Sequence, residues 1–136
     1  MKFFDNLFTN GLPKNENAKL IWNELTRIET LDDITEISKT QAVVIFKHST
    51  RCSISKMVLS QFEENFELKG EVRLYFLNLL LYREISNQIA SRFNVHHQSP
   101  QMILIKKGIA VYNASHEEIK AEKLMNLLAD NISNHP

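Results

Sequence analysis

The spacing of hydrophobic residues changes repeatedly along the chain and predicts alternating strands and helices. Runs of β-branched and aromatic residues predict buried strands at 42–47 and 71–79. A weaker alternation at 21–28 favours an edge strand, although a helix over 18–25 also fits it. Apolar residues three or four positions apart predict helices at 31–38, from Cys52 to about Leu68 with a stop at Lys69-Gly70, and at 84–93.

The C-terminal part of the chain predicts a hairpin and a closing helix. Apolar runs at 101–106 and 109–114 flank a Lys107-Gly108 turn. A last helix is expected from about Glu117, with Ser115 as its cap. The complete order of elements predicts an α/β fold with a central mixed sheet of four to five strands and helices on both faces.

Length and composition limit the possible classes of protein. A chain of 136 residues with 43% hydrophobic content builds one core, and we expect a tail and linker at 1–18 and one domain at 19–136. Sixteen basic and sixteen acidic residues cancel, which argues against a nucleic-acid partner.

The N-terminus does not predict export or a membrane span. The apolar residues of Met1–Phe8 are interrupted too early for a signal peptide, and no apolar run approaches the roughly 20 residues that cross a bilayer. These residues could instead form a short amphipathic turn that touches a membrane or a partner, or a frayed or self-docked end. We therefore expect a cytoplasmic protein.

Cys52 is the only cysteine, and it lies where a predicted strand and loop lead into a predicted helix. One cysteine forms no internal disulfide, and no cysteine and histidine spacing predicts a zinc site, so we expect no metal. At a helix start, unpaired N–H groups and the helix dipole favour the thiolate over the thiol. The position of Cys52 therefore predicts a nucleophile.

A second feature is Ser99-Pro100, directly before the strand at 101–106. A cis peptide bond here would turn the backbone sharply and expose its polar groups, which would pair with an extended thiol ligand beside Cys52. A trans proline at the end of a loop is the alternative, and spacing alone leaves both open.

Two segments resemble a known family. Residues 47–55 read Lys-His-Ser-Thr-Arg-Cys-Ser-Ile-Ser, which resembles the Lys-His-Ser-Thr-x-Cys-Pro-Ile-Ser stretch of the bacillithiol-system monothiol bacilliredoxins. Residues 97–101, His-Gln-Ser-Pro-Gln, resemble that family's segment around its cis-proline. The resemblance implies a thioredoxin-like fold and removal of bacillithiol, a low-molecular-weight thiol, from mixed disulfides on client proteins. Ser53 departs from the motif, because the family usually has proline there.

The resemblance and the residues together suggest roles for the site. Ser55 stands where a Cys-x-x-Cys site has its second cysteine, so bacillithiol or a similar thiol must serve as co-substrate, with no bound cofactor. We expect Ser55 and Arg51 to stabilise the Cys52 thiolate, with an N-terminal helix cap as the alternative role of Ser55. We also expect Lys47 and His48 to meet the ligand's carboxylates or to shuttle a proton, with exposed, solvated side chains as the alternative. The expected substrate-binding residues are Lys47, His48, Ser53, Ile54, Gln98, Ser99 and Pro100.

Three functions remain open at this level. The leading hypothesis is a monothiol thiol-disulfide oxidoreductase whose partners are bacillithiolated client proteins and the small thiol, in a monomer or weak dimer. The absent motif proline and second cysteine suit instead a non-enzymatic thioredoxin-like module that binds a partner or senses redox state. A third alternative is an iron–sulfur carrier of the monothiol glutaredoxin type, which only the single thiol supports.

Overall fold

The computed structural model describes residues 20–67 and 71–133. In these residues five strands form one sheet: β1 (Trp22–Glu24), β2 (Ala42–His48), β3 (Val72–Asn78), β4 (Gln101–Lys106) and β5 (Ile109–Ser115). Four helices accompany them: α1 (Thr30–Ile37), α2 (Ser53–Asn65), α3 (Arg83–Phe93) and α4 (Ala121–Ser133). The predicted order of elements and the α/β class are confirmed.

The sheet has the strand order β1-β3-β2-β4-β5. β1, β3 and β2 run parallel, whereas β4 is antiparallel to β2 and β5 is antiparallel to β4. The register pairs Lys47 with Gln101 and His48 with Asn78. Because β2 and β3 end where β4 begins, the loops after β2 and β3 and the loop before β4 meet at one edge of the sheet.

Hydrophobic cores lie on both faces of the sheet, as predicted. One face is covered by α1 and α3, through Leu31, Ile34, Ile85, Ile89 and Phe93. The other is covered by α2 and α4, through Val58, Phe62, Ala121 and Leu124. Successive strand side chains point to opposite faces, so Val43 and Ile45 of β2 join the first core while Val44 and Phe46 join the second.

The edge strand is confirmed but is shorter than the predicted 21–28. Leu25 N–H still donates to the carbonyl of Phe76 at 2.9 Å, and the chain then turns, with Thr30 N–H donating to Arg27 at 3.1 Å. The turn leads directly into α1. The hairpin is also confirmed, since Lys107 and Gly108 both have positive φ, 53° and 75°, as a two-residue turn of this kind requires.

Two helix boundaries were predicted wrongly. α2 ends at Asn65 and not near Leu68, because Phe66 adopts an extended backbone and stacks on Phe62 with ring centroids 5.1 Å apart. The last helix begins at Ala121, after a 3₁₀ turn at His116–Glu118, and the Ser115 side chain forms no capping hydrogen bond. Ile119 is extended and buried between the turn and α4, which interrupts the helix.

Several predictions fall outside the described residues. They are the tail at 1–18, the amphipathic turn in Met1–Phe8 and the helix stop at Lys69-Gly70. The domain start at residue 19 stays a prediction. Within the described ranges, every helix is too short or too polar to cross a membrane.

Candidate active site

Cys52 occupies the N-cap position of α2, at the end of the loop that follows β2. Its backbone is extended, with φ −104° and ψ 121°, and its carbonyl accepts a hydrogen bond from Lys56 N–H at 3.0 Å. Its own N–H donates to the carbonyl of Ser49 at 3.2 Å, which closes a turn. The thiol is free and half-buried. The structure thus places Cys52 at the helix start, as the sequence predicted.

Ser55 lies in the first turn of α2 and is fully buried. Its Oγ accepts the N–H of Ser49 at 3.1 Å and lies 2.7 Å from Nδ1 of His48. His48 is buried too, with its ring centroid 5.4 Å from that of Phe76. Among the described residues Ser55 Oγ makes no hydrogen bond to Cys52, so its expected role toward the sulfur stays a prediction. What Ser55 does hold together is the loop, His48 and the first helical turn.

The loop before β4, residues 96–100, is called the proline loop here. The peptide bond between Ser99 and Pro100 is cis, which decides between the two alternatives that the sequence left open. Because Gln101 pairs with Lys47 at the end of β2, the proline loop lies at the same sheet edge as the turn that carries Cys52.

The side chain of Gln101 binds the backbone of the proline loop at two residues. This side chain is fully buried; its Oε1 accepts the N–H of Gln98 at 3.4 Å, and its Nε2 donates to the carbonyl of His96 at 2.9 Å. The carbonyl of Pro100 accepts the N–H of His116 at 3.0 Å. These bonds attach both ends of the loop to β4 and to the segment after β5.

Lys47 is fully buried on the face of the sheet that α3 covers. Its Nζ lies 3.2 Å from Nδ1 of His97 in the proline loop, and Ser86 Oγ of α3 lies 3.1 Å from the same nitrogen. In the described part of the chain, no carboxylate pairs with Lys47. Burial lowers the pKa of Lys47 to about 8. Lys47 and His48 are therefore buried, and the expected direct contact with a ligand's carboxylates does not match their positions.

The pKa values of buried His48 and half-buried His97 are both lower than the ordinary value of histidine. Burial, and then the positive charge of Lys56, lowers the pKa of His48. Burial is also the main cause that lowers the pKa of His97, followed by three positive neighbours: Lys47, Arg83 and His96. Near neutral pH both rings are therefore uncharged, and Nδ1 of His97 is available to accept a hydrogen bond from Lys47.

Of the other predicted residues, Pro100 is buried and the rest lie nearer the surface. Arg51, Ser53 and Ile54 are exposed, with Ile54 at 42%, and Arg51 forms no ion pair with any other described residue. Gln98 and Ser99 are half-buried. The Ser99 hydroxyl oxygen is itself buried and has no hydrogen-bond partner in the described ranges.

Sequence reasoning missed the polar partners beneath the site. Gln101 was noted only as part of a motif, and Ser86 was not noted at all. A lysine within an apolar strand that is covered on both faces signals a buried polar partner. That signal does not identify the partner, because His97 is far from Lys47 in sequence and Ser86 contacts the His97 ring and not Lys47 itself.

Comparisons with known proteins decide the family. A family model described as monothiol bacilliredoxin BrxC matches residues 23–124. The chain belongs to the monothiol bacilliredoxin family. A solved structure, described as having a thioredoxin fold and a proposed oxidoreductase activity, is 30% identical with a TM-score of 0.66, and the match covers 76% of this chain and 89% of that one.

Two thioredoxins support the fold of this bacilliredoxin. Fasciola hepatica thioredoxin is 17% identical with a TM-score of 0.59, over 79% of this chain and 97% of that one. Chlamydomonas reinhardtii thioredoxin f2 is 18% identical with a TM-score of 0.61, over 82% and 96% respectively. The family and the thioredoxin fold make the protein a thiol-based redox protein. Within residues 20–67 and 71–133, no group of three or more His, Cys, Asp or Glu residues is arranged to hold a metal ion.

Ser53 is where this bacilliredoxin departs from the motif proline. Proline is favoured at the first helical position, where its missing N–H costs no helical hydrogen bond. In this structure α2 nevertheless begins at Ser53, with Cys52 as the N-cap. The substitution therefore leaves the helix start in place and adds one backbone donor beside the thiol.

Ser55→Ala tests whether Ser55 holds the loop and His48. The change leaves the N–H of Ser49 and the Nδ1 of His48 without their partner, so we expect the free energy of unfolding to fall by about 1–3 kcal/mol. Denaturant unfolding measures this loss. Ser60→Ala, an exposed site on the same helix, is the control and should change stability by less than about 0.5 kcal/mol. Equal stability of both variants would contradict the role of Ser55.

Lys47→Met tests the burial of the ammonium group. The pKa of Lys47 falls from 10.5 to about 8 on folding, so between these values the unfolded chain binds more protons and wild-type stability rises with pH. Relative to Lys47→Met, the wild type should gain up to roughly 3 kcal/mol across that range, measured by denaturant unfolding. The exposed Lys39→Met control should keep the wild-type slope. A constant difference between wild type and Lys47→Met would show that the ammonium is not desolvated.

Proposed function

We propose that this bacilliredoxin is a monothiol thiol-disulfide oxidoreductase that removes bacillithiol from protein mixed disulfides. The observation that supports this most is the half-buried free thiol of Cys52 at the start of α2, at the sheet edge that also carries the proline loop. Ser55 stands where a dithiol site has its second thiol. A protein with one thiol cannot release its own mixed disulfide, so the exchange is completed by a thiol from solution.

The proposed reaction has two exchange steps. The Cys52 thiolate attacks the bacillithiol sulfur of the modified client, so that a Cys52–bacillithiol disulfide forms and the client sulfur leaves as a thiolate. A second bacillithiol, also as the thiolate, then attacks the bacillithiol sulfur of the adduct. Bacillithiol disulfide and the Cys52 thiolate are the products. Electrons balance because each step breaks one disulfide and forms another.

The residues around Cys52 support the thiolate in this proposal. Arg51 adds an exposed positive charge next to it. The Ser55 hydroxyl has one proton, and its oxygen already accepts the N–H of Ser49. When the neutral ring of His48 carries its proton on Nδ1, it donates a hydrogen bond to the Ser55 oxygen. The hydroxyl proton of Ser55 is then free to point at the sulfur of Cys52. Ser55 thus donates to the thiolate while His48 sets its orientation.

The substrate lies between the helix start and the proline loop in this proposal. The backbone of Gln98, Ser99 and Pro100 pairs with the extended part of the small thiol, and Ser53 and Ile54 contact it from the helix side. Lys47 and His48 act from beneath this surface, because both are buried. We propose bacillithiol or a similar thiol as the co-substrate, bacillithiolated proteins as clients, the cytoplasm as the location, and a monomer or weak dimer as the working form.

Release of bacillithiol from a modified client protein tests this function. With free bacillithiol present, the wild type should liberate the client thiol faster than bacillithiol alone, and Cys52→Ser should give only the uncatalysed rate because the nucleophile is lost. The same client modified with glutathione should react about tenfold more slowly if the site recognises bacillithiol. Ser60→Ala serves as the control and should keep the wild-type rate.

Two results would separate the alternatives. Equal release by the wild type and Cys52→Ser would remove the enzymatic hypothesis in favour of a binding or sensing module. Equal rates with bacillithiol and glutathione would retain a thiol oxidoreductase but reject bacillithiol as its specific substrate.

A further inference from the structure

Among the described residues, the proline loop is attached to the rest of the domain at three points, and one of these can change with pH near neutrality. The amide side chain of Gln101 holds His96 and Gln98, and the carbonyl of Pro100 accepts a backbone N–H. Neither attachment involves an ionisable group of the loop. The third is the ring of His97, whose Nδ1 faces Lys47 Nζ at 3.2 Å and Ser86 Oγ at 3.1 Å.

The His97 contact is the one that ties the loop to β2 and α3. Lys47 comes from the end of β2, and Ser86 comes from the first turn of α3; both are fully buried. His97 itself is half-buried, so its ring has a route to solvent. If the contact opens, the loop keeps its attachments to β4 and to the segment after β5 but loses its attachments to β2 and α3.

Protonation of His97 is incompatible with this contact. A lysine ammonium has only donors, so it requires the unprotonated Nδ1 of His97 as an acceptor. In imidazolium both ring nitrogens carry protons, and Nδ1 would then face the like charge of Lys47. The other charged groups acting on the ring are Arg83 at the start of α3 and His96 in the loop, and both also oppose a positive charge on it. No described carboxylate forms an ion pair with His97 to offset them.

We propose that His97, held by Lys47, is a positioning residue that keeps the proline loop in its substrate-binding form and releases it when the ring is protonated. This inference deepens the proposed function and rests on it for the statement that the loop binds substrate. Because burial and the positive neighbours lower the pKa of His97, the contact persists at neutral pH and is lost as the pH falls below the ordinary histidine value of 6.5.

The loop attachment and the thiol are separate in this arrangement. Lys47 lies on the α3 face of the sheet, whereas His48 and Ser55 contact each other on the α2 face. A variant that lacks the His97 contact should therefore have a raised KM for a bacillithiolated client. At each pH, its rate of Cys52 alkylation by a small reagent should equal that of the wild type.

An NMR pH titration of the full chain tests the attachment without any substrate. The amide signals of Gln98 and Ser99 should shift with the same midpoint as the His97 ring, and this shift should disappear in His97→Asn. In Lys47→Met the His97 midpoint should rise, because a positive neighbour has been removed. If the loop amides follow neither the His97 titration of the wild type nor its raised midpoint in Lys47→Met, His97 does not control the attachment. The inference is then overturned, whatever the activity of the protein.

Kinetics with the bacillithiolated client test the consequence. As the pH falls from 7 through the His97 midpoint found by NMR, the wild-type KM should rise about tenfold more than that of His97→Asn, whose side-chain oxygen accepts from Lys47 but does not titrate. His97→Leu should have a raised KM at every pH, and Ser60→Ala, an exposed site on α2, should match the wild type. Identical KM profiles for the wild type and His97→Asn would overturn the inference. Absence of client turnover in all variants, with the loop amides still following His97, would instead reject only the proposed function and with it the substrate role of the loop.

Discussion

The antiparallel pairing of β2 with β4 places Lys47 opposite Gln101, and this register brings the proline loop to the sheet edge where α2 begins. A single thiol at a helix start exchanges disulfides only where a neighbouring surface holds the partner disulfide. In the proposed function the proline loop is that surface, and the pairing brings it from residues nearly fifty positions away in sequence. The parallel pairing of β2 with β3 completes the edge, with Leu79 N–H donating to the carbonyl of His48 at 2.8 Å.

The last two residues of β2 carry polar side chains into opposite cores. Lys47 and His48 point to different faces because strand side chains alternate. Lys47 contacts the ring of His97, which Ser86 of α3 also contacts, and His48 contacts the hydroxyl of Ser55 in α2. Buried polar groups are costly unless they are hydrogen-bonded, so these contacts are specific in a way that apolar packing is not. They fix the first turn of α2 on one face and the proline loop on the other. The scaffold on both sides of Cys52 is thereby held by β2.

The order of elements and the family could be predicted from the sequence, because apolar spacing reports burial and the segment at 47–55 is distinctive. The end of α2 and the start of α4 could not be predicted, since tertiary packing decides them. Phe66 leaves α2 to stack on Phe62, and Ile119 separates the 3₁₀ turn from α4. Neither event is visible in the local spacing of the residues involved.

The candidate site was predicted in part. The Cys52 helix start and the Ser99-Pro100 loop were expected, and the structure brings them to one edge. Lys47 and His48 were expected to face a ligand because charged residues at a strand end are usually exposed. Here both faces of β2 are covered up to its last residue, so both side chains are buried. Lys47 contacts the proline loop and His48 contacts the first turn of α2. Ser53 replaces the motif proline without displacing the helix start, which confines its effect to the thiol beside it.

The central claim is that Cys52 takes up the small thiol itself and not the client protein. Mass spectrometry after reaction with a bacillithiolated client, in the absence of free bacillithiol, tests it most directly. We predict that the Cys52 peptide carries one bacillithiol and that an equal amount of client appears with a free thiol. A disulfide between Cys52 and the client, or an unmodified Cys52 when the client has lost its bacillithiol, would contradict the account.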